Sequence, residues 1–301
     1  MTLALLVPGG SGQLGRELAG LAGPSLKVNA PDSARLDLTD TRGVIAAVAA
    51  FAEAAKAAGD TPVVVNAAAY TAVDRAESDR ARAYAVNADG PRVLAAACST
   101  RNVPLLHVST DYVFSGDASA PYAEDAETGP RTVYGATKLA GEQAVLGSGA
   151  RAWVVRTAWV YGAHGANFVK TMARLESQRD TLSVVDDQFG APTWTRDLAA
   201  GLVELAGKVA EGSGPSARVL HATGAGEVTW CGFARAVFEE LGADPERVKA
   251  CGTADYPTPA ARPAYSVLSA GAWNASLTPL RPWREALRAA FETDRAAYLP
   301  A

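Results

Sequence analysis

Residues 3–15, LALLVPGGSGQLG, decide the fold class of this chain. Leu3–Val7 is a short apolar run that ends at Pro8 and Gly9, which is typical of a buried parallel strand. More glycines follow at once, and a helix is predicted over Gln13–Leu21. Glycines in a strand–helix turn let the backbone approach a pyrophosphate, whose charge lies at the helix N-terminus. The stretch therefore predicts nucleotide binding, although an ordinary glycine-rich turn has the same pattern.

Strands and helices continue to alternate after this loop. The predicted strands are Leu26–Ala30, Pro62–Asn66, Pro104–Ser109 and Ala152–Arg156. The predicted helices cover Thr41–Ala58, Ser78–Ala97 (one long helix or two abutting ones) and Val133–Leu146. This alternation predicts an α/β fold with a doubly wound, Rossmann-type parallel sheet. After Gly162 the alternation is lost. We expect residues 1–162 to bind the dinucleotide. Residues 163–301 are expected to form mainly a smaller mixed α/β substrate domain, with some segments returning to the first.

Composition excludes several classes of protein. Hydrophobic residues make up 49% of the 301 residues and charged residues 20%, which is enough for a large core and argues against disorder. A net charge of -4 argues against a nucleic-acid partner, and the lack of a long apolar window argues against a membrane span. The three cysteines are too scattered for a disulfide framework or a metal cage, and the N-terminus lacks the basic start of a signal peptide. A cytoplasmic location is expected.

The end of the second predicted strand bears on coenzyme choice. An acidic side chain there usually binds the ribose 2′-hydroxyl of NAD and repels the 2′-phosphate of NADP. This strand ends in Asn29 and Ala30, with Asp32 beyond it. The sequence therefore favours NADPH. NADH stays open, because Asp32 can fold back towards the strand end.

Tyr134 and Lys138 are four residues apart on a predicted helix and so share a face. A nearby cation stabilises a phenolate, so we expect the pKa of Tyr134 to lie below its ordinary value near 10. The phenol is then a candidate proton donor. Ser109–Tyr112 lies at the carboxyl end of the predicted strand Pro104–Ser109, where a hydroxyl is placed to hydrogen-bond a carbonyl oxygen beside Tyr134. Both features also occur by chance, as a surface pair and as a turn.

Together these segments resemble the extended short-chain dehydrogenase/reductase family and, within it, the dTDP-4-dehydrorhamnose reductases. The resemblance is carried by GGSGQLGRE at 9–17, STDYVFSG at 109–116, VYGATKLAGEQ at 133–143, VRTAWVYG at 155–162, DDQFGAPTW at 186–194 and YPTPAARPAYSVL at 256–268. It implies reduction of the C4 ketone of a dTDP-4-keto-6-deoxyhexose, with dTDP-4-dehydro-L-rhamnose as the main expected substrate. The hydride would come from NADPH or NADH.

The resemblance also implies roles for individual residues. Thr110 would hydrogen-bond the ketone, Tyr134 would donate the proton, and Lys138 would activate Tyr134 and bind the nicotinamide ribose. The predicted cofactor contacts, besides Tyr134 and Lys138, are Gly9, Gly12, Gln13, Leu14, Asn29, Asp37, Leu38, Ala67, Ala68, Ala69, Tyr70 and Thr71. The predicted substrate contacts are Thr110, Asp111, Tyr112 and Trp159 at the sugar and Asn167, Lys170 and Arg262 at the diphosphate. The alternative for Lys170 and Arg262 is that they are solvated surface charges.

Two departures limit what the resemblance implies. Some relatives dimerise through a magnesium held by acidic clusters; Glu17 matches one such position, but Arg196 stands near where another acid is expected. We therefore predict no metal site, and a monomer and a homodimer both remain open. Ala261 stands where family members often have a first arginine before Arg262. Two other functions stay open: a dTDP-ketosugar reductase of a secondary-metabolite glycoside pathway, and a non-catalytic NADP-binding regulatory subunit.

Overall fold

The computed structural model describes residues 2–299, so residues 1, 300 and 301 of the two predicted domains lie outside the described residues. The strands, in chain order, are β1 Leu3–Leu6, β2 Leu26–Asn29, β3 Thr61–Asn66, β4 Leu105–Thr110, β5 Ala152–Thr157, β6 Val160–Tyr161, β7 Leu182–Val185, β8 Phe189–Gly190, β9 Thr193–Trp194, β10 Val219–His221, β11 Val228–Thr229 and β12 Val248–Cys251. The α-helices are α1 Gln13–Gly20, α2 Thr41–Ala58, α3 Val73–Ala76, α4 Arg80–Tyr84, α5 Gly90–Arg101, α6 Val133–Leu146, α7 Phe168–Glu176, α8 Thr195–Ala210, α9 Trp230–Leu241, α10 Gly271–Asn274 and α11 Trp283–Tyr298.

Six parallel strands form the central sheet in the order β2-β1-β3-β4-β5-β10. The predicted doubly wound α/β fold is therefore confirmed. The strand order reverses between β1 and β3, because the chain winds outward to β2 and then returns past β1. Such a switch point leaves a crevice at the carboxyl ends of the two strands, where ligands of these folds bind. The last strand, β10, comes from the part of the chain beyond residue 162.

Local capping explains why several helices begin where the sequence predicts. Asp40 accepts a hydrogen bond from the Arg42 backbone N–H ahead of α2, and Thr132 and Thr229 cap α6 and α9 in the same way. The segment Ser78–Ala97, predicted to hold one long helix or two abutting ones, is helical over residues 80–101. It is divided into α4, a widened π-type turn at Ala85–Asp89, and α5.

Buried residues cover both faces of the sheet. One face packs against α1 and α8, whose Leu14, Leu18, Leu198 and Leu202 join the core. The opposite face packs against α2, α5 and α6. Since α8 and β10 both follow residue 162, the second half of the chain helps to complete the first core.

A third core is built from α7, α9 and α11, with Phe233, Phe238 and Phe291 among its buried side chains. Short strands surround it: β7 pairs with β12 and β6 with β9 in parallel, and β8 pairs with β11 antiparallel. Trp230, the first residue of α9, contributes both to this core and to the cavity described next. The third core therefore supplies one wall of the candidate site.

Candidate active site

One large cavity opens along the carboxyl ends of the central strands. Its volume is about 760 Å³. It extends from the loop after β1, past the ends of β3, β4 and β5, to Trp159 and Trp230. The predicted site residues that line it are Gly9, Gly12, Gln13, Leu14, Asp37, Leu38, Ala67, Ala68, Ala69, Tyr70, Thr71, Thr110, Asp111, Tyr112, Tyr134, Lys138 and Trp159. Asn29, Asn167, Lys170 and Arg262 do not line it.

The glycine loop forms one end of the cavity and is packed too tightly for side chains. Gly9 has a φ of +88°, in the left-handed region that favours glycine. A Cβ on Gly15 would lie 2.3 Å from the Gly9 carbonyl oxygen. Helix α1 starts here after Gly12, with no acidic side chain in its first turn. Its free backbone N–H groups fit the pyrophosphate of a dinucleotide.

Three buried polar atoms in the cavity wall also fit a bound ligand. Ser109 Oγ, Asp111 Oδ2 and Thr157 Oγ1 are buried, line the cavity, and have no hydrogen-bond partner among the described residues. Buried polar atoms are nearly always paired, so an unpaired cluster indicates that a ligand or water supplies the partners. Thr157 is not among the predicted site residues, and Ser109 was predicted only as part of the Ser109–Tyr112 segment. Ser109 lies at the end of β4, next to the predicted site residue Thr110. Thr157 ends β5 and pairs in register with Thr110.

The three candidate catalytic residues come together at this wall. Tyr134 and Lys138 lie on α6 and are 9% and 2% exposed, and Thr110 ends β4. The Thr110 hydroxyl donates to Asp111 Oδ1 over 2.9 Å, and Lys138 Nζ donates to the Val108 carbonyl over 2.7 Å. The wall thus presents hydroxyl groups and one ammonium group to the same cavity.

Burial has the largest effect on the pKa values of Tyr134 and Lys138. It raises the pKa of Tyr134 to about 12, with the Thr110 hydroxyl opposing the rise and the Asp111 carboxyl adding to it. It lowers the pKa of Lys138 to about 8, against the opposing effect of the Glu142 carboxylate. The expectation that the pKa of Tyr134 lies below 10 is therefore wrong for this structure, because the effect of burial outweighs that of the Thr110 hydrogen bond.

Near the end of β2, the polar side chains that line the cavity differ from the one predicted. Asn29 ends β2 but is exposed and outside the cavity, whereas Ser33, Asp37 and Arg82 line it. Hydrogen bonds from the Thr39 backbone N–H and hydroxyl lower the pKa of Asp37. Arg82 Nη2 lies 3.7 Å from Asp37 Oδ2. A cofactor contact of Asn29 stays a prediction.

Two stacked indole rings form the end of the cavity away from the glycine loop. The rings of Trp159 and Trp230 lie 3.5 Å apart and within 6° of parallel. Trp159 has a φ of +47°, a strained conformation for a bulky residue that tends to persist at functional sites. A Cβ on Gly190 would lie 2.2 Å from the Trp159 ring, so only glycine admits the indole there. Trp230 was not predicted, because nothing in the local sequence pairs it with Trp159.

The side chains of Asn167 and Lys170 form hydrogen bonds with other groups of the protein. Asn167 caps α7 and donates to the Gln13 side-chain oxygen over 3.1 Å, which connects α7 to the glycine loop. Lys170 Nζ donates to the Ala163 carbonyl over 2.6 Å. Their contact with a diphosphate stays a prediction.

Arg262 lies in a second, smaller pocket of about 140 Å³ beside the main cavity. Tyr112 lines both, and Arg131 is a second guanidinium in the smaller one. Arg262 Nη2 donates to Asp74 Oδ2 over 2.6 Å. The smaller pocket therefore contains two guanidinium groups next to the main cavity, each paired with a carboxylate, since Arg131 pairs with Asp117. Its role in substrate binding stays a prediction.

The positions compared with magnesium-bridged relatives make protein contacts. Glu17 accepts from the Thr195 hydroxyl over 3.3 Å, and Arg196 Nη1 lies 3.9 Å from Asp294 Oδ2. Within residues 2–299, no group of three or more His, Cys, Asp or Glu side chains is arranged to hold a metal ion. Over the same residues, no helix combines the length and apolar character needed to cross a membrane.

Comparison with known proteins agrees with this geometry. The family model described as the RmlD substrate binding domain matches residues 2–296. A dTDP-4-dehydrorhamnose reductase of Streptomyces griseus is 50% identical over 95% of this chain and 92% of its own. A dTDP-4-keto-6-deoxy-D-glucose reductase of Streptomyces niveus is 45% identical over 97% of both chains. The crystal structure of a dTDP-4-dehydrorhamnose reductase of Bacillus anthracis in complex with NADP is 33% identical, with a TM-score of 0.88 over 97% of this chain and 99% of that one. This chain belongs to the family of the RmlD substrate binding domain, the family of the dTDP-4-dehydrorhamnose reductases.

Proposed function

We propose that this protein reduces the C4 ketone of a dTDP-4-keto-6-deoxyhexose, with dTDP-4-dehydro-L-rhamnose as substrate and dTDP-L-rhamnose as product. The observation that carries the proposal is the convergence of Thr110, Tyr134 and Lys138 on a cavity that begins at a dinucleotide-type glycine loop. The names of the relatives from Streptomyces griseus and Bacillus anthracis support the same reaction.

The residues present fit a nicotinamide dinucleotide. Gly9, Gly12 and the start of α1 would hold its pyrophosphate, and Ala67–Thr71 would lie along it. Bound there, the cofactor would supply the hydride that adds to the C4 carbon. NADPH is the proposed coenzyme, supported by the NADP complex of the relative and by the Arg82 guanidinium in the cavity wall.

The protein's own groups would handle the proton and the developing charge. The hydroxyls of Thr110 and Tyr134 would hydrogen-bond the ketone oxygen, and the Tyr134 O–H would break as its proton passes to that oxygen. A raised pKa keeps Tyr134 protonated at neutral pH, which suits the direction of reduction. The Lys138 ammonium would stabilise the phenolate that remains. The product is then a C4 alcohol.

The same proposal assigns binding of the sugar nucleotide mainly to the second half of the chain. Residues 1–162 would chiefly hold the dinucleotide and 163–301 the dTDP-sugar, with α8 and β10 belonging structurally to the first core. Within the described chain all three cysteines are free thiols, which supports a reducing, cytoplasmic location. Arg196 beside Asp294 supports the view that no magnesium bridge is formed.

A second candidate is a ketosugar reductase of a secondary-metabolite pathway. The 45% identity to the Streptomyces niveus dTDP-4-keto-6-deoxy-D-glucose reductase favours it. Both candidates require the same catalytic residues, so they differ only in the sugar and in the stereochemistry at C4.

A panel of purified dTDP-4-ketosugars tests both. The protein is mixed with NADPH and each sugar, NADPH consumption is followed by absorbance, and the product is identified by NMR. Turnover of dTDP-4-dehydro-L-rhamnose above the other sugars supports the first candidate, and preference for another ketosugar supports the second. NADPH binding without consumption across the panel contradicts both and supports a non-catalytic, cofactor-binding subunit.

A further inference from the structure

Helix α6 buries a second charged residue behind Lys138. Glu142 lies four residues further along the same helix face, and each side chain is 2% exposed. The Arg156 guanidinium on β5 holds the Glu142 carboxylate with three hydrogen bonds, of 2.9, 3.2 and 2.7 Å. Arg156 directly precedes Thr157 of the cavity wall. The proposed reaction makes no use of this ion pair.

Stability alone is a weak reason for such a pair. The cost of removing two charges from water often matches what their attraction returns, and apolar residues of similar size serve as well. Arg156 is further fixed by the Glu124 carbonyl at 3.3 Å and lies 3.4 Å from His221 Nε2. Burial and Arg156 lower the pKa of His221 to about 3, so its ring adds no charge at neutral pH. The carboxylate is therefore held rigidly, and it is the buried anion on the same helix face as Lys138.

Lys138 needs a nearby anion if it is to stay charged. Burial alone disfavours the ammonium form, and the Glu142 carboxylate opposes this effect, leaving a pKa of about 8. Because this pKa is close to neutral pH, a further decrease would leave a larger fraction of Lys138 uncharged. Without the carboxylate, the unopposed effect of burial would lower the pKa of Lys138 further.

We propose that Glu142, held in place by Arg156, is a positioning residue that keeps the Lys138 ammonium charged inside the wall of the cavity. The inference rests on the proposed function, because Lys138 matters to turnover only in a reductase of this kind. It assigns a role in the reaction to two residues that do not touch the cavity.

Other ionisable groups surround the pair. Burial and Lys138 keep the pKa of His107 well below its ordinary value, so its ring is neutral, and burial raises the pKa of Asp111 to about 6. Tyr134 precedes Lys138 on α6 itself. The remaining ionisable side chains on the elements packed against α6 are Asp74, Arg75, Arg80, Arg82, Tyr84, Asp89, Arg92, Cys98, Arg101 and Tyr112. Within residues 2–299, none of these charged side chains forms an ion pair with Lys138 or Glu142.

The test measures the pKa of Lys138 directly in cofactor-free protein. Acetic anhydride labels deprotonated amines, so the extent of Lys138 labelling at a series of pH values, read by mass spectrometry, gives its titration. Glu142→Gln keeps the shape and removes the charge. We expect the Lys138 pKa to fall by about one unit or more, the effect of losing an opposite charge at close range. The alkaline limb of the kcat profile should move down with it.

Arg156→Gln provides the opposite change. It leaves the Glu142 anion without its partner, so the pKa of Lys138 should rise, whereas Arg156→Lys keeps a cation beside Glu142 and should change it little. Shifts in opposite directions cannot come from general loosening of the core. As a matched control, Glu176→Gln breaks the 2.6 Å pair with Arg247 away from the cavity and should leave the Lys138 titration unchanged.

An unchanged Lys138 titration in Glu142→Gln would overturn the inference, and so would shifts of the same sign in Glu142→Gln and Arg156→Gln. If Glu142→Gln does not fold, the sign in Arg156→Gln decides: a rise supports the inference, and a fall or no change contradicts it. Because labelling needs no turnover, the result is independent of the reductase assay. Absence of turnover in the wild-type protein would contradict the proposed function alone.

Discussion

The Thr110 hydroxyl donates its hydrogen bond to the neighbouring Asp111 carboxylate, with 2.9 Å between Thr110 Oγ1 and Asp111 Oδ1. A hydroxyl has a single proton, so the Thr110 hydroxyl must turn away from Asp111 before it can donate to a ketone oxygen. The other oxygen, Asp111 Oδ2, is buried and has no hydrogen-bond partner in the described chain. Binding of a sugar hydroxyl to Asp111 would satisfy that oxygen. Substrate binding would therefore exchange the Thr110–Asp111 hydrogen bond for one from Thr110 to the ketone oxygen and one from the sugar to Asp111.

Asp111→Asn should increase stability and reduce activity. Burial raises the pKa of Asp111 to about 6, above the value near 3.9 of an unfolded chain. The folded state therefore holds the proton more tightly, and the free energy of unfolding falls as pH rises from about 4 to about 6. Asparagine removes the buried charge, so the variant should gain on the order of 1–3 kcal/mol at about pH 8 and much less at about pH 4.

Thermal unfolding of both proteins at the two pH values measures this difference, and kcat/KM with the dTDP-sugar should fall about tenfold or more with the lost acceptor. A variant that is less stable than wild type at both pH values would show that Asp111 is a structural residue.

Tyr134→Phe should lower kcat by about 10²-fold or more, because the proton donor is lost while the ring remains. NADPH affinity, measured by fluorescence titration, should change little. Tyr256→Phe, at a side chain that is 65% exposed, is the control and should keep full activity. Near-normal kcat in Tyr134→Phe would remove this phenol from the mechanism.

Sequence predicted those parts of the fold that depend on local chemistry. The glycine loop, the alternation of short apolar runs with helical segments, and the Tyr134–Lys138 spacing each depend on residues close to one another in the sequence. These features predicted the sheet and most of the cavity wall.

Features that depend on distant pairing were not predictable in the same way. The stack of Trp159 on Trp230 joins residues 71 positions apart in the sequence, and the position of Arg82 beside Asp37 depends on how α4 packs. The widened turn at Ala85–Asp89 holds Asn87, whose side chain binds both the N–H and the carbonyl of Tyr70. The apolar pattern of the segment carries no signal of that polar requirement, so the widened turn was not predicted.

Gly15→Ala should abolish dinucleotide binding and destabilise the protein. The added methyl group would lie 2.3 Å from the Gly9 carbonyl oxygen and 2.7 Å from Gly10 Cα, so the loop must move. Gly20→Ala in the same helix meets no atom within 4 Å and should stabilise α1, by about 0.5–1 kcal/mol at most. Isothermal calorimetry with NADPH and thermal unfolding compare the two. Equal NADPH affinity in both variants would show that the loop does not hold the cofactor.

Coenzyme preference should depend on Arg82 more than on Asn29. Arg82→Ala removes a guanidinium from the cavity wall and should weaken NADPH binding several-fold more than NADH binding, because only NADPH carries the 2′-phosphate. Asn29→Asp places a carboxylate at an exposed position outside the cavity and should have a smaller effect. Dissociation constants for both coenzymes measure the preference. A larger loss of NADPH affinity in Asn29→Asp would instead support the contact expected from the end of β2.

Arg262→Ala tests the diphosphate end of the substrate. Arg262 lies in the small pocket that shares Tyr112 with the main cavity, so its guanidinium is within reach of a substrate whose ketone lies at Tyr134. Loss of a charged hydrogen bond costs about 1.5–3 kcal/mol, so KM for the dTDP-sugar should rise about tenfold or more while NADPH binding is unchanged. Asp74→Asn is the informative partner variant, since it removes the carboxylate that now holds Arg262 at 2.6 Å. If Arg262 binds phosphate, freeing it should leave KM equal or lower, whereas a structural pair would make both variants equally harmful. Unchanged KM in Arg262→Ala would place the diphosphate elsewhere in the cavity.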